Sequence, residues 1–318
     1  MIVYGPVPSR RLGQSLGVNN IPPKICSYSC VYCQIGRTNK MQTIRSEFYK
    51  PEDIYFESKM KIEQLKVKGE HVDYISFVPD GEPTIDKNLG LEIELLKELN
   101  IRTAVITNAS LLWMDDVKAD LMEADWVSVK LDAADNDTWC KIDRPHGSLK
   151  LKNILDGIHD FAKEFKGTLV TETMLVAGVN DHPSCIEMIG KQIESIQPQK
   201  AYLLVPTRPP AEQFVNRAES KSITDAAMLI RSISGVSVEC IVEDDNKEGF
   251  FFTDDIIDDL LSITSVHPIR EDIINHLLKN KKADYIVLQE LIKQNKIIEF
   301  TYEGKKFYKK NLDDNSDK

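Results

Sequence analysis

Apolar, β-rich runs alternate with segments of helical period along most of this chain, and that alternation limits its possible folds more than any other feature. The runs cover 15–21, 72–79, 102–108, 126–132, 168–176 and 201–206, with 236–242 as a candidate seventh. Helical patterns cover 51–67, 88–99, 115–122, 151–165, 183–196 and 222–233. Pro51 with Glu52 and Asp53 marks one helix start, and Asp181 ahead of Pro183 marks another. Strands that read as nearly continuous apolar runs are buried on both faces, which predicts a parallel sheet covered by helices. Six or so units fall short of a closed eight-stranded barrel. The expected fold class is therefore α/β, as a partial, open barrel or a doubly wound sheet.

The 318 residues, 42% of them hydrophobic, suffice for one large domain and one small one. The polar stretch VEDDNKEG at 242–249 marks the change between them. The expected division is a barrel over 1–245, a linker over 246–252, a small domain over 253–312 and a polar tail over 313–318. In the small domain, helical patterns near 254–262, 268–279 and 284–295 precede a strand, a turn at Glu303–Gly304 and a second strand. Three helices and a hairpin are the plan of a winged helix. Lys305, Lys306, Lys309 and Lys310 decorate the wing around Phe307 and Tyr308, a pattern that could track a nucleic-acid backbone. Asp284, Glu290 and Glu299 dilute that surface, and a peptide, a protein or the chain's own barrel could equally occupy it. The formal charge of −10 argues against a protein that coats nucleic acid. No apolar run approaches the ~20 residues of a membrane span, and the start of the chain lacks the apolar core of a signal peptide. A cytoplasmic location is expected, with no membrane partner and with the cysteines reduced.

Three of the six cysteines, Cys26, Cys30 and Cys33, crowd into KICSYSCVYCQIG at 24–36. A disulfide would leave an odd thiol. A structural zinc site closes with four ligands, so His71, Cys140 or Cys185 would have to fold back to complete one. A four-iron cluster held by three thiolates needs no fourth protein ligand. Other candidate residues stand at strand ends, where chemistry in parallel barrels gathers. They are Asp80-Gly81-Glu82-Pro83-Thr84, Thr107-Asn108, Lys130 with Asp132, and Thr171, Thr173 and Asn180. Lys130 and Asp132 point into the barrel if Val129 and Leu131 face the helices, and they could equally form a structural ion pair. Asn108 is as much at home in a turn. Arg208 sits in a proline-stiffened loop after the sixth run, and Arg144-Pro145-His146 could reach the same mouth. Arg10 and Arg11 could clamp a substrate phosphate or carboxylate, or brace the cysteine loop. Asp135, Asp137 and Asp143 beside Trp139 read as a solvated loop, and Cys140, Cys185 and Cys240 as buried small apolar residues.

The C-x3-C-x2-C spacing, with Tyr32 ahead of the last cysteine, resembles the radical S-adenosylmethionine (radical SAM) enzymes. The resemblance implies a partial (β/α)6 barrel with a small C-terminal winged-helix-like domain. It implies a [4Fe–4S] cluster on Cys26, Cys30 and Cys33, with S-adenosyl-L-methionine on the open iron. An electron from the reduced cluster then releases a 5′-deoxyadenosyl radical, which abstracts hydrogen from a substrate. Gly81 and Glu82 match the element that orients the methionyl group, and Asn108 the polar strand end beside it. Tyr32, Thr173, Val205 and Pro206 stand where cofactor contacts are made, and Lys130, Asp132 and Arg208 where ribose or substrate is handled. A low-potential electron donor of ferredoxin or flavodoxin type is the implied partner.

GPVPSRRLGQSLGVN, PDGEPT and PTRPP further resemble a branch related to the wyosine-tRNA synthases. RNA or tRNA modification is the expected role, with a protein or peptide as the second substrate class. The archaeal synthases use extra cysteines upstream of this motif, whereas nothing upstream of Cys26 is a cysteine. A function of another class stays open, an iron–sulfur or zinc DNA-binding regulator acting through the winged helix. Some 245 residues of strand–helix units are far more than a sensor needs. A zinc-stabilised barrel without redox chemistry is the third alternative.

Overall fold

The computed structural model describes residues 2–242, 256–266, 268–281, 283–302 and 304–311, and the first of these stretches forms one sheet wrapped by helices. The expected linker 246–252 and tail 313–318 lie outside the described residues. β1 (Val3–Ser9) turns back into β2 (Gly13–Val18), and the cysteine segment follows with the short strands β3 (Ile25–Cys26) and β4 (Lys40–Met41). Next come α1 (Pro51–Val67), β5 (Tyr74–Phe77), α2 (Leu89–Lys97), β6 (Arg102–Thr107), α3 (Asp115–Met122) and β7 (Trp126–Lys130). The chain continues through α4 (Asn136–Ile142), α5 (Leu151–Glu164), β8 (Thr168–Met174), α6 (Pro183–Ile196), β9 (Lys200–Leu204), α7 (Ser220–Ser234) and β10 (Val238–Ile241).

The sheet runs β1-β2-β5-β6-β7-β8-β9-β10, with β1 antiparallel to β2 and every other pair parallel. Apolar residues on successive positions face opposite layers. Val105, Val127, Val129, Leu131, Leu169 and Leu203 join the core beneath the helices, against residues such as Ile158, Phe161, Ile189 and Ile193. Ala104, Trp126, Val170 and Tyr202 face the other way and fill the lower lumen together with Leu12 from the β1–β2 turn. Val129 and Leu131 thus lie on the helix side, and Lys130 and Asp132 enter the lumen.

Two elements depart from expectation. Pro6 and Pro8 obscure β1 as a strand, since proline cannot donate to a ladder; at the sheet edge that loss is tolerated. The solvated loop expected around Trp139 is instead α4. Asp135 caps it by accepting from the Thr138 N–H at 2.8 Å, Trp139 is buried, and Asp143 is only 4% exposed. Cys140 and Cys240 are exposed rather than buried, Cys140 on α4 and Cys240 on the outermost strand β10.

Helix α2 turns Glu92 into the core beside Asp86, and both side chains are fully buried. Asn20, Arg45, Glu47 and Asp120 are the polar and charged groups that act on the pair. Burial, then the neighbouring Asp86, pushes Glu92 up to about 9; burial pushes Asp86 up to about 6. Folded values above the unfolded ones mean that the fold retains a proton the unfolded chain releases. The stabilisation is therefore complete below pH ~4.5 and is lost as pH rises towards about 9. Glu92→Gln keeps the shape and removes the titration, so it is expected to stabilise the protein at pH 8 by on the order of 2–3 kcal/mol. Urea midpoints at pH 5, 7 and 9 check this, and a wild-type midpoint that rises over that span would contradict it.

A second unit follows: α8 (Ile256–Val266), β11 (Ile269–Arg270), α9 (Glu271–Asn280), α10 (Ile286–Lys293), β12 (Ile297–Tyr302) and β13 (Lys305–Lys310). Its antiparallel sheet runs β11-β13-β12, with β11 an unforeseen two-residue strand at the head of a helical pattern. Leu260, Ile273, Leu277, Leu288, Leu291 and Tyr308 form its core. Helix α8 lies against β13 and also against β1, so the unit packs on the edge strand of the barrel. Lys306 reaches Glu299 at 3.5 Å and Glu271 at 3.7 Å, Lys309 lies 5.6 Å from the centre of the Phe300 ring, and the charge of Lys310 acts on Asp80 of the barrel. Two of the four wing lysines thus have partners inside the molecule, and the charge of a third reaches the barrel. Among the described residues no helix is long and apolar enough to cross a membrane.

Candidate active site at the carboxyl end of the barrel

The cysteine loop is laid across the ends of the strands by backbone bonds. Lys24 N–H donates to the Asp80 carbonyl at 2.6 Å and Glu82 N–H to the Ile25 carbonyl at 3.1 Å. At Gly81 a Cβ would stand 2.0 Å from the Ile25 carbonyl oxygen, so only glycine lets the strand end approach the loop this closely. On the far side, Ser29 N–H donates to the Asp143 carbonyl at 3.0 Å, Val31 N–H to Ile142 at 2.9 Å, and Glu212 N–H to Val31 at 3.1 Å. Glu212 also takes a two-pronged contact from Arg37 (2.8 and 3.0 Å) and a further one from Arg144. Neither the Glu212 clamp nor the Asp143 contact is signalled in the local sequence, because each ties the cysteine loop to a segment more than a hundred residues away.

Each thiol has its own surroundings. Cys26 Sγ accepts from Tyr28 N–H at 3.5 Å and lies 3.6 Å from Asn108 Nδ2. Burial, and behind it the charge of Glu82, pushes the Cys26 thiol up to about 12. Cys30 donates to Asp143 Oδ1 at 3.4 Å and is raised well above the usual thiol range by burial and by that carboxyl. Burial also raises Cys33, with Asp80 adding to the shift and Lys130 opposing it. Asp143 is itself pushed well above the carboxylate range by burial and by Asp132.

Glu82 is buried and held by four donors. Its Oε1 accepts from Thr84 N–H (3.1 Å), the Thr84 hydroxyl (2.6 Å) and the Thr107 hydroxyl (2.5 Å), and its Oε2 accepts from Asn108 N–H (2.7 Å). Burial raises its pKa despite them. Asn108 Nδ2 then reaches the Ser27 hydroxyl at 2.9 Å, which ties the ends of β5 and β6 to the first cysteine. The expected residues Gly81, Glu82 and Asn108 therefore form one continuous assembly with Cys26.

Across the mouth, the Tyr32 hydroxyl donates to Asp132, whose other oxygen accepts from Met174 N–H at 2.6 Å. Lys130 Nζ lies 5.2 Å from the centre of the Tyr32 ring and 3.8 Å from Glu172. The sequence singles out Thr171 and Thr173 rather than Glu172 between them; strand alternation sends the two threonines to the helix side, and Thr173 donates to the Leu131 carbonyl at 2.7 Å. Glu172 enters the lumen, where Ser128 donates to it at 2.7 Å and Arg11 closes an ion pair. Arg11 thus braces the barrel interior rather than the cysteine loop. Arg208 touches Gln34 of the cysteine segment at 3.2 Å. Asn180 is buried and bonded to the Asp132 and Met174 carbonyls, a positioning role. Val205 packs in the core at the end of β9, and Pro206 is buried next to it.

The donor set fits an iron–sulfur cluster: three soft thiols on one loop, gathered with a fixed carboxylate and an amide at the carboxyl end of parallel strands. The groups that might have completed a zinc tetrahedron lie elsewhere. His71 sits 3.6 Å from Asp73, Cys185 lies 3.7 Å from the Thr138 hydroxyl, and Cys140 is exposed. Among the described residues no three His, Cys, Asp or Glu side chains, those of Cys26, Cys30 and Cys33 included, stand as ligands of a single metal ion, while the charges of Cys26 and Cys33 both act on Cys30.

Comparison with known proteins agrees with this geometry. The Radical SAM superfamily profile matches residues 20–186. A UPF0026 protein of Methanocaldococcus jannaschii is 41% identical over 311 residues, 98% of this chain and 96% of its own length. The crystal structure of a radical SAM methyltransferase from Sphaerobacter thermophilus superposes with a TM-score of 0.57 at 13% identity, over 73% of this chain and 67% of that one. The structure of TYW1 with a lysine–pyruvate adduct bound gives 0.52 at 18% identity, over 74% and 77%. Those two likenesses are of fold. The superfamily uses a [4Fe–4S] cluster and S-adenosylmethionine. Matched by that profile over more than half its length, and by a relative over nearly all of it, this chain is a member of the radical SAM superfamily, within its UPF0026 group.

Proposed function

We propose that Cys26, Cys30 and Cys33 hold the cluster through three thiolates and that the chain abstracts hydrogen from a substrate entering the lumen. When bound, the reduced cluster would supply one electron to the sulfonium of S-adenosylmethionine, whose C–S bond would break to leave methionine and a 5′-deoxyadenosyl radical. What the chain contributes is position. Glu82, its carboxylate fixed by Thr84, Thr107 and Asn108 before any ligand arrives, orients the methionyl ammonium. Tyr32, anchored on Asp132, offers its ring to the adenine, and Val205 and Pro206 at the end of β9 are proposed as further adenine contacts. Lys130, Asp132 and Arg208 line the approach to the substrate. The observation that carries this reading is the junction of Cys26, Asn108 and Glu82 in one bonded assembly.

A ferredoxin- or flavodoxin-type protein is the proposed electron donor. RNA is the proposed substrate class, supported by the motifs shared with the wyosine-synthase branch, and a protein or peptide is the second. Lys306 and Lys309 are engaged within the small unit and helix α8 lies against β1, which favours that unit as a cover for the barrel edge over a DNA-reading surface. The test is anaerobic reconstitution with iron and sulfide, reduction with dithionite and assay for 5′-deoxyadenosine. About four irons per chain with cleavage of S-adenosylmethionine is expected. Bound zinc, or a cluster that never cleaves it, would sink the proposal.

A further inference from the structure

Two cations meet in the lumen beneath the cysteine loop without a hydrogen-bonded carboxylate for each. Arg11 enters from the β1–β2 turn below and Lys130 from the end of β7 above, and the two share one acid, Glu172. Glu172 is 3% exposed, and its Oε1 is already occupied by Arg11 and Ser128. Lys130 is 3.8 Å from the other oxygen, beyond the ~2.7–3.2 Å of a charge-assisted hydrogen bond. It also lies over the face of Tyr32, which attracts a cation without neutralising it. Asp132, which accepts from Tyr32 and Met174 N–H, and Asp143, on which the charge of Lys130 acts, stand at the mouth above, and neither forms an ion pair with Lys130 within 4 Å. Burial lowers the Arg11 guanidinium to about 10, against the pull of Tyr202, and the charge of Arg208 adds to that shift. Cations crowded in a partly dry lumen are costly unless an anion joins them. The side chains of Arg11 and Lys130 keep 20% and 18% of their surface open to solvent, so a ligand can reach them.

We infer that the lumen receives an anionic group, phosphate or carboxylate, of the substrate, bound by Lys130 and Arg11, while Glu172 holds the two cations in place until it arrives. This deepens the function proposed above and rests on it. The test uses the reconstituted holoenzyme under anaerobic conditions with S-adenosylmethionine saturating, so that the cofactor's own carboxylate is already placed. Calorimetric titrations with inorganic phosphate, malonate and neutral glycerol are compared. Saturable binding of phosphate, malonate or both, and none of glycerol, is expected; the preferred anion tells a phosphate-bearing from a carboxylate-bearing substrate. Lys130→Gln and Arg11→Gln should each weaken it about tenfold or more, the loss of one hydrogen bond to a charged group. Glu172→Gln removes the competing carboxylate and should tighten binding, which keeps the test decisive if Arg11→Gln fails to fold. Lys221→Gln, the same charge change on the exposed face of α7, should alter nothing. No saturable binding, equal binding by the lumen variants, or binding that saturating S-adenosylmethionine abolishes would each overturn the inference. Cleavage of S-adenosylmethionine in the same preparation is read separately: cleavage without anion binding defeats this inference alone, and anion binding without cleavage defeats the proposed function alone.

Discussion

Cys30→Ala is expected to give a folded protein that neither retains a four-iron cluster nor forms 5′-deoxyadenosine above background. The two thiols left are too few to hold such a cluster. Folding should survive, because the segment around Cys30 is fixed by main-chain bonds from Ser29, Val31 and Glu212 rather than by the thiol. Trimming a half-buried cysteine to alanine costs about 1 kcal/mol. Iron analysis, the visible absorption of the reconstituted protein and a urea midpoint together separate ligation from folding. Full iron loading with undiminished cleavage would remove Cys30 from the ligand set.

Gly81→Ala should have the larger effect on stability although it touches no thiol. The new Cβ would meet the Ile25 carbonyl oxygen at 2.0 Å and Ile21 Cδ1 at 2.7 Å, and the first of these is backbone that cannot rotate away. Relief requires the loop to lift, which strains the bonds from Lys24 to Asp80 and from Glu82 to Ile25. A loss of roughly 2–4 kcal/mol is expected, combining overpacking with weakened buried hydrogen bonds. Iron retention should fall with it, since Cys26 follows Ile25 directly. A variant within about 0.5 kcal/mol of wild type and fully loaded with iron would show that the loop is not pinned at this point.

Much of this architecture was legible because local and global preferences agree. Six of the seven parallel strands carry apolar residues on both faces, and Pro51 and Pro183 open helices where the apolar period begins. β1 was hidden because its prolines argue against a strand everywhere except at an edge, and edge position is a property of the sheet. α4 was hidden by acidic residues that suggested solvent; the Asp135 to Thr138 cap was the signal available. The cysteines and the Gly81-Glu82 element could be found because each lies within a few residues of chain. Glu172 could have been found by taking Val170, rather than Thr171, as the inward residue of β8. Its partner Arg11, 161 residues away, could not, because only closure of the sheet brings the two together.

The clamp over the cysteine loop also has a bearing on how the protein is made. Cys26, Cys30 and Cys33 leave the ribosome early, whereas Asp143, Arg144 and Glu212, which close over them, are added between 110 and 186 residues later. At ~5–20 residues per second of synthesis, the thiols wait for roughly 5–40 s in a nascent chain that cannot yet cover them. Oxidant in the cell therefore has its best opportunity during translation, before the barrel has closed.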